Sequence, residues 1–99
     1  MHANSARLFA ALGDETRLRL IARLCEHGPL SIARLTEGSK VTRQAISKHL
    51  RVMKKSGLVR SAPRGRESVW QLAQPTLDEA RRYLKKISKQ WDEALVRGH

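Results

Sequence analysis

Ninety-nine residues suffice for one domain with a single core and leave no room for a second, because a chain this size buries about two-thirds of its unfolded surface. A formal charge of +11 at pH 7 favours polyanionic partners and repels itself in the folded state. The lone cysteine, Cys25, excludes an intramolecular disulfide, and there is neither an apolar run of about 18 residues nor a signal-peptide core in MHANSARLF, so the expectation is a cytoplasmic protein with no membrane partner.

The first segment, residues 6–12, is apolar on Leu8, Phe9 and Leu12 and stops at Gly13, which predicts a short leading helix. A helix this short is unstable alone, so Phe9 must rest on the domain body or on a second subunit. Asp14 is placed to cap the next helix, with Glu15 at the positive end of its dipole. An inner stripe of Leu18, Ile21, Ala22, Leu24 and Cys25 runs to a stop at Gly28-Pro29. Ser31 caps a third helix reaching about Glu37, with Ile32 and Leu35 inward, and Gly38 turns the chain.

Thr42 then caps TRQAISKHLRVMKK, residues 42–55. At 100° per residue, Ile46, Leu50 and Met53 fall within about 60° of one another, flanked by Ala45, His49 and Val52, and define a core face. Gln44, Ser47, Lys48, Arg51, Lys54 and Lys55 hold the opposite arc, where nearly every group can donate to phosphates or base edges. Two short helices joined by a Gly-containing turn have helix-turn-helix spacing. The charge is concentrated here: from Arg34 to Arg66 ten Lys or Arg stand against Glu37 alone, a net +9, while each flank contributes about +1. Residues 42–55 therefore read as a DNA-recognition helix.

After Gly57 the period becomes alternating. Leu58 to Ser61 and Glu67 to Leu72 predict two strands around a Pro and Gly turn, a wing with Arg64 and Arg66 at its tip. Pro75 to Glu79 opens the last helix with Thr76 at the N-cap and Glu79 three residues on. Its apolar residues Leu77, Ala80, Leu84, Ile87, Trp91 and Ala94 are spaced 3, 4, 3, 4 and 3, a heptad-type seam suited to a subunit interface shared with the leading helix and Phe9.

Catalytic signatures are scarce. Asp14-Glu15, Asp78-Glu79 and Asp92-Glu93 are adjacent pairs that point apart on helices, and there is no phosphate-binding Gly loop, HExxH or CxxC. His2 and His99 are terminal, His27 ends a helix, and His49 lies on the inner side, so packing or capping roles are expected for the last two. Cys25, on its inner stripe, is expected to be a small apolar filler. The expectation is a protein that is not an enzyme and has no cofactor.

ALGDETRLRLIARL (Ala11 to Leu24), QAISKHLRVMKKSGLV (Gln44 to Val59) and RGRESVWQL (Arg64 to Leu72) together resemble the ArsR (arsenical-resistance repressor) family. The resemblance implies a homodimer joined through the first and last helices, one recognition helix per subunit in successive major grooves, and repression of a promoter. Thiolate-using members open the first helix of the helix-turn-helix with Cys-x-Cys, where this chain has Ser31 and Ala33. Others use His and carboxylates on the last helix, where residues 77–96 contain no histidine. Metal sensing by either route is not expected.

The resulting expectation is a mainly α fold with a small β-hairpin: one winged helix-turn-helix domain over residues 1–99, about five helices plus a two-stranded wing, with residues 5–12 and 76–96 as dimerisation helices. Arg43, Gln44, Ser47 and Lys48 are assigned to base edges of double-stranded DNA, and Lys40, Thr42, Arg51, Lys54, Arg64 and Arg66 to phosphates or the minor groove. Leu8, Phe9, Leu77, Ala80, Leu84, Ile87 and Trp91 are assigned to the dimer interface. Two alternatives are a winged-helix module docking an acidic protein and a repressor sensing oxidants through Cys25.

Overall fold

The computed structural model describes residues 3–98; His2 and His99 lie outside them. Five helices and three strands follow in the order α1 (Ala3–Leu12), α2 (Glu15–His27), β1 (Leu30–Ser31), α3 (Ile32–Thr36), α4 (Arg43–Lys55), β2 (Val59–Arg64), β3 (Glu67–Leu72) and α5 (Gln74–Arg97). The capping chemistry expected for the first three internal helices is present. Asp14 accepts from the Arg17 N–H at 2.9 Å, Ser31 from Arg34 N–H at 3.3 Å and Thr42 from Ala45 N–H at 3.1 Å, each satisfying an amide that its helix cannot.

The wing has a third strand. β3 is central, in the order β1-β3-β2, with Leu30 opposite Trp70 and Ser31 opposite Val69 on one side and Val59 opposite Leu72 through Arg64 opposite Glu67 on the other. A two-residue strand has no period to detect, and its pairing is set by where β3 lies. Pro63 is tolerated because β2 is an edge. Gly65 opens the two-residue turn with φ +62° while Arg66 keeps a negative φ, the type II′ pattern that matches the strand twist.

The core collects Leu8, Leu20, Leu24, Leu35, Ile46, Leu50, Met53, Leu58 and Val59, all buried. Leu50 is fully buried at the centre of α4. Leu50→Ala is expected to lower unfolding free energy by ~2–5 kcal/mol, measured by urea denaturation, a large part of the ~5–15 kcal/mol typical of a domain.

Four expectations are corrected. On α2 the buried positions are Leu20 and Leu24, one turn apart toward α4 and β3, whereas Leu18, Ala22 and Cys25 are exposed. Cys25 is therefore no core filler, and Val52 on α4 is likewise exposed. The last helix begins at Gln74 without a side-chain cap. Ala73 N–H is spent on Leu58 O at 2.9 Å, and the Ala73 carbonyl already accepts from Thr76 and Leu77, so Thr76 lies inside the first turn and makes no capping box. Pro75 suits that turn because its missing N–H would have had no partner there. Finally, Leu8 and Ala80, assigned to a subunit interface, are buried in the chain's own core, and Leu77 is partly packed against it.

Beyond Ala80 the last helix leaves the domain body. From Arg81 to Gly98 only Tyr83 and Ala94 are partly covered, and the molecule is elongated to 59 × 26 × 24 Å. Phe9 meets Tyr83 with ring centroids 5.6 Å apart, so α1 is docked against α5 by an aromatic contact. Leu84, Ile87 and Trp91 are 54%, 45% and 63% exposed, and Leu95 and Val96 extend this apolar surface.

Candidate nucleic-acid interface

α4 is held by its buried face and displays the rest. Ile46, Leu50 and Met53 are the buried residues, which turns Arg43, Gln44, Lys48 and Arg51 to solvent with Ser47 half-covered. The first turn of α4 contains no acidic residue, and Arg43 opens it. A cation there opposes the positive end of the helix dipole, whereas Lys54 and Lys55 complement the negative end.

The turn before α4 is fixed from below by Arg23. Its guanidinium donates to Arg34 O at 2.8 Å and Glu37 O at 3.2 Å, satisfying the last carbonyls of α3. Gly38 turns the chain with φ +70°, and Ser39 Oγ accepts from Val41 N–H at 3.0 Å. Lys40 and Thr42 are exposed along this turn, beside the first residues of α4.

A groove of about 560 Å³ separates α4 from the wing, with Arg43, Gln44 and Ser47 on one wall and Arg66, Glu67 and Trp70 on the other. Arg43, Gln44, Ser47 and Arg66 are thus brought together, while Arg64 stands at the end of β2 opposite Glu67. Among the described residues, Arg43, Lys48, Arg51, Arg64 and Arg66 form no ion pair, and Arg34 is bridged to Glu37 at 3.6 Å. Lys54 differs from the other assigned cations: its Nζ donates to Ser61 Oγ at 3.1 Å and lies 5.9 Å from the Trp70 ring centre, fastening the wing to α4.

Three features escaped sequence reasoning. Arg23 and Arg17 act through backbone carbonyls, which no spacing rule marks. Glu67 joins the groove lining where the II′ turn folds it back opposite Arg64. His49, expected on the inner side, is half-buried, with Nδ1 3.2 Å from Arg17 Nη1 and 3.9 Å from Asp14 Oδ2. The backbone N–H of Arg17 holds the Asp14 carboxyl below its ordinary range, with the charge of Arg17 adding to the effect against partial desolvation. Because the folded value is the depressed one, this contribution to stability is complete above the unfolded pKa of ~3.9 and is lost as pH falls through the folded value.

Comparison with known proteins agrees with this architecture. A family model described as a helix-turn-helix domain matches residues 2–62. The HTH-type transcriptional regulator Rv2034 of Mycobacterium tuberculosis is 38% identical over 90 residues, covering 91% of this chain and 80% of that one. The structure of an ArsR-like transcriptional regulator from Rhodococcus sp. RHA1 superposes with a TM-score of 0.85 at 37% identity, covering 96% of this chain and 89% of its own. A homodimeric winged helix-turn-helix DNA-binding domain from Mycobacterium bovis shares the fold at 20% identity, with a TM-score of 0.69 and coverage of 97% and 84%. A capped recognition helix, a wing beside it and sequence similarity along nearly the whole length lead to one assignment: the chain belongs to the ArsR family of winged helix-turn-helix transcriptional regulators.

Proposed function

We propose that the protein is a homodimeric repressor in which α4 of each subunit enters a major groove of double-stranded DNA. The observation that carries this reading is the unpaired cationic and amide face of α4 beside the groove to the wing. Arg43, Gln44, Ser47 and Lys48, in the first turns after the Thr42 cap, reach base edges; Gln44 suits adenine N6 and N7, and Arg43 or Lys48 suits guanine O6 and N7. Lys40, Thr42, Arg51, Arg64 and Arg66 bind phosphates or the minor groove and fix the register, while Lys54 contributes mainly by holding the wing.

The dimer joins through α5, whose Leu84, Ile87 and Trp91 face solvent in the single chain, with the Phe9 edge of α1 alongside. The homodimer formed by the fold relative from Mycobacterium bovis supports this. Residues 1–99 then act as one DNA-binding domain whose flanking helices assemble it. Two-fold symmetry requires an inverted-repeat operator with half-sites about one helical turn, ~34 Å, apart or a multiple of it. Repression follows where that operator overlaps a promoter.

Metal does not release this repressor through the usual family positions. Ser31 is buried, capping α3 and paired in β1, and Ala33 offers only a methyl group, so neither fits a thiophilic ion.

A mobility-shift titration with DNA flanking the coding region tests the proposal. A discrete, competitor-resistant complex is expected, its affinity falling ~10³ to 10⁵ fold between about 50 and 200 mM salt if six to ten phosphates are contacted. Salt-insensitive association, or binding to an acidic protein in place of DNA, would refute it.

A further inference from the structure

Arg17 does not line the groove between α4 and the wing, yet its guanidinium joins three helices. Nε donates to Ala11 O at 2.6 Å and Nη2 to Ala10 O at 3.4 Å, at the C-terminal end of α1, while Nη1 is 3.2 Å from His49 Nδ1 on α4. A guanidinium only donates and stays protonated throughout the working range of pH. As a hydrogen bond, this contact requires Nδ1 of His49 to accept, with the ring proton on Nε2.

We propose that Arg17 is a positioning residue for DNA recognition: through neutral His49 it fixes the recognition helix against the end of α1 and so against the helix layer that assembles the dimer. This rests on the DNA-reading role of α4. His49 follows Lys48 directly and lies little more than one turn after Gln44, so a displacement of its backbone moves both reading residues with the rigid helix. Lysine cannot replace this arginine, because one ammonium lacks the planar fork that spans two carbonyls and a ring nitrogen at once.

The geometry also fixes the sign of a pH effect. Facing His49 are Asp14 and Arg17 from α2, and Arg7 of α1 and Lys55 of α4 line the cleft beside Arg17. Protonation turns Nδ1 from acceptor to donor. The bond to Arg17 is then lost, the two cations repel, and the ring turns toward Asp14, whose Oδ2 is 3.9 Å away. Release of α4 lowers operator affinity as pH falls. A histidine acting only through its charge would do the opposite, since an added cation strengthens binding to DNA.

The test uses the full chain and a duplex carrying a genomic fragment selected by the protein. Binding is measured at about pH 7.5 and about pH 5.5, either side of the range in which imidazoles titrate. Nitrogen-15 spectra of the imidazoles in the free protein give the tautomer. The expected tautomer of His49 has its proton on Nε2. Arg17→Lys and His49→Ala should each weaken operator binding ~10-fold at the higher pH, and the double variant should be no weaker than either, because both remove one link. His49→Asn keeps an acceptor oxygen near the place of Nδ1, so it should bind within about twofold of the parent and lose the parent's drop at low pH. An Nδ1-protonated ring, multiplicative losses in the double variant, or parent affinity that rises toward low pH would overturn the proposal. If the unsubstituted protein selects no duplex, the DNA-reading role fails instead, and the imidazole spectrum still decides whether Arg17 holds His49.

Discussion

Gln44→Ala and Lys48→Ala are each expected to lower affinity for the operator by ~1–3 kcal/mol while changing affinity for unrelated duplex far less. Both residues are exposed on the first turns of α4, and neither contributes to the core that Ile46, Leu50 and Met53 fill. Their removal therefore leaves the fold intact and deletes hydrogen bonds that only one base arrangement can satisfy. Lys48 also carries a charge, so its variant should show a smaller salt slope, by about one unit per subunit, whereas Gln44→Ala should not. Arg64→Ala, at the end of β2, should weaken every duplex about equally. Competition titrations with operator and scrambled DNA at two salt concentrations separate the cases. Uniform losses for all three variants would show that α4 positions the protein without reading sequence.

Ile87→Glu is expected to convert the protein to monomers at micromolar concentration, as read by sedimentation velocity. In the single chain Ile87 lies between Leu84 and Trp91 on the exposed apolar face of α5 and is itself 45% exposed. In a two-fold interface each substitution occurs twice, and a carboxylate in the seam forfeits the ~1.5–3 kcal/mol of burying each isoleucine and adds a desolvation cost. The monomer should keep its fold, because residue 87 is outside the core. It should lose ~10² fold or more in operator affinity, since the second half-site is no longer held at high effective concentration. A dimer that survives Ile87→Glu would place the interface elsewhere.

Local chemistry was legible in the sequence wherever a residue acts on its immediate neighbours. Asp14, Ser31 and Thr42 cap the helices they were expected to cap, because a side-chain oxygen needs only the amide three residues on. The centre of the inner face of α4, Ile46, Leu50 and Met53, was equally readable because these residues occupy one arc, whereas Val52 on its flank is exposed. On α2 the segment RLRLIARL places leucines around much of the wheel, and the packing of α4 and β3 selects Leu20 and Leu24 over Leu18. Thr76 has the spacing of a cap, but the last sheet hydrogen bond at Ala73 starts the helix earlier. Leu8 and Ala80 fit an interface seam by period and are claimed by the intrachain core instead. The cationic face was visible as a run of charge, whereas the groove that joins Arg43 to Arg66, the Lys54 link to Ser61 and the Arg17 bridge depend on elements distant in sequence.

The most direct test of the central claim is selection of genomic fragments bound by the purified protein, followed by footprinting of the strongest. Two protected half-sites related by inverted symmetry, with centres about one helical turn, ~34 Å, apart or a multiple of it, are the predicted result. A single asymmetric footprint, or even protection along unrelated fragments, would contradict it.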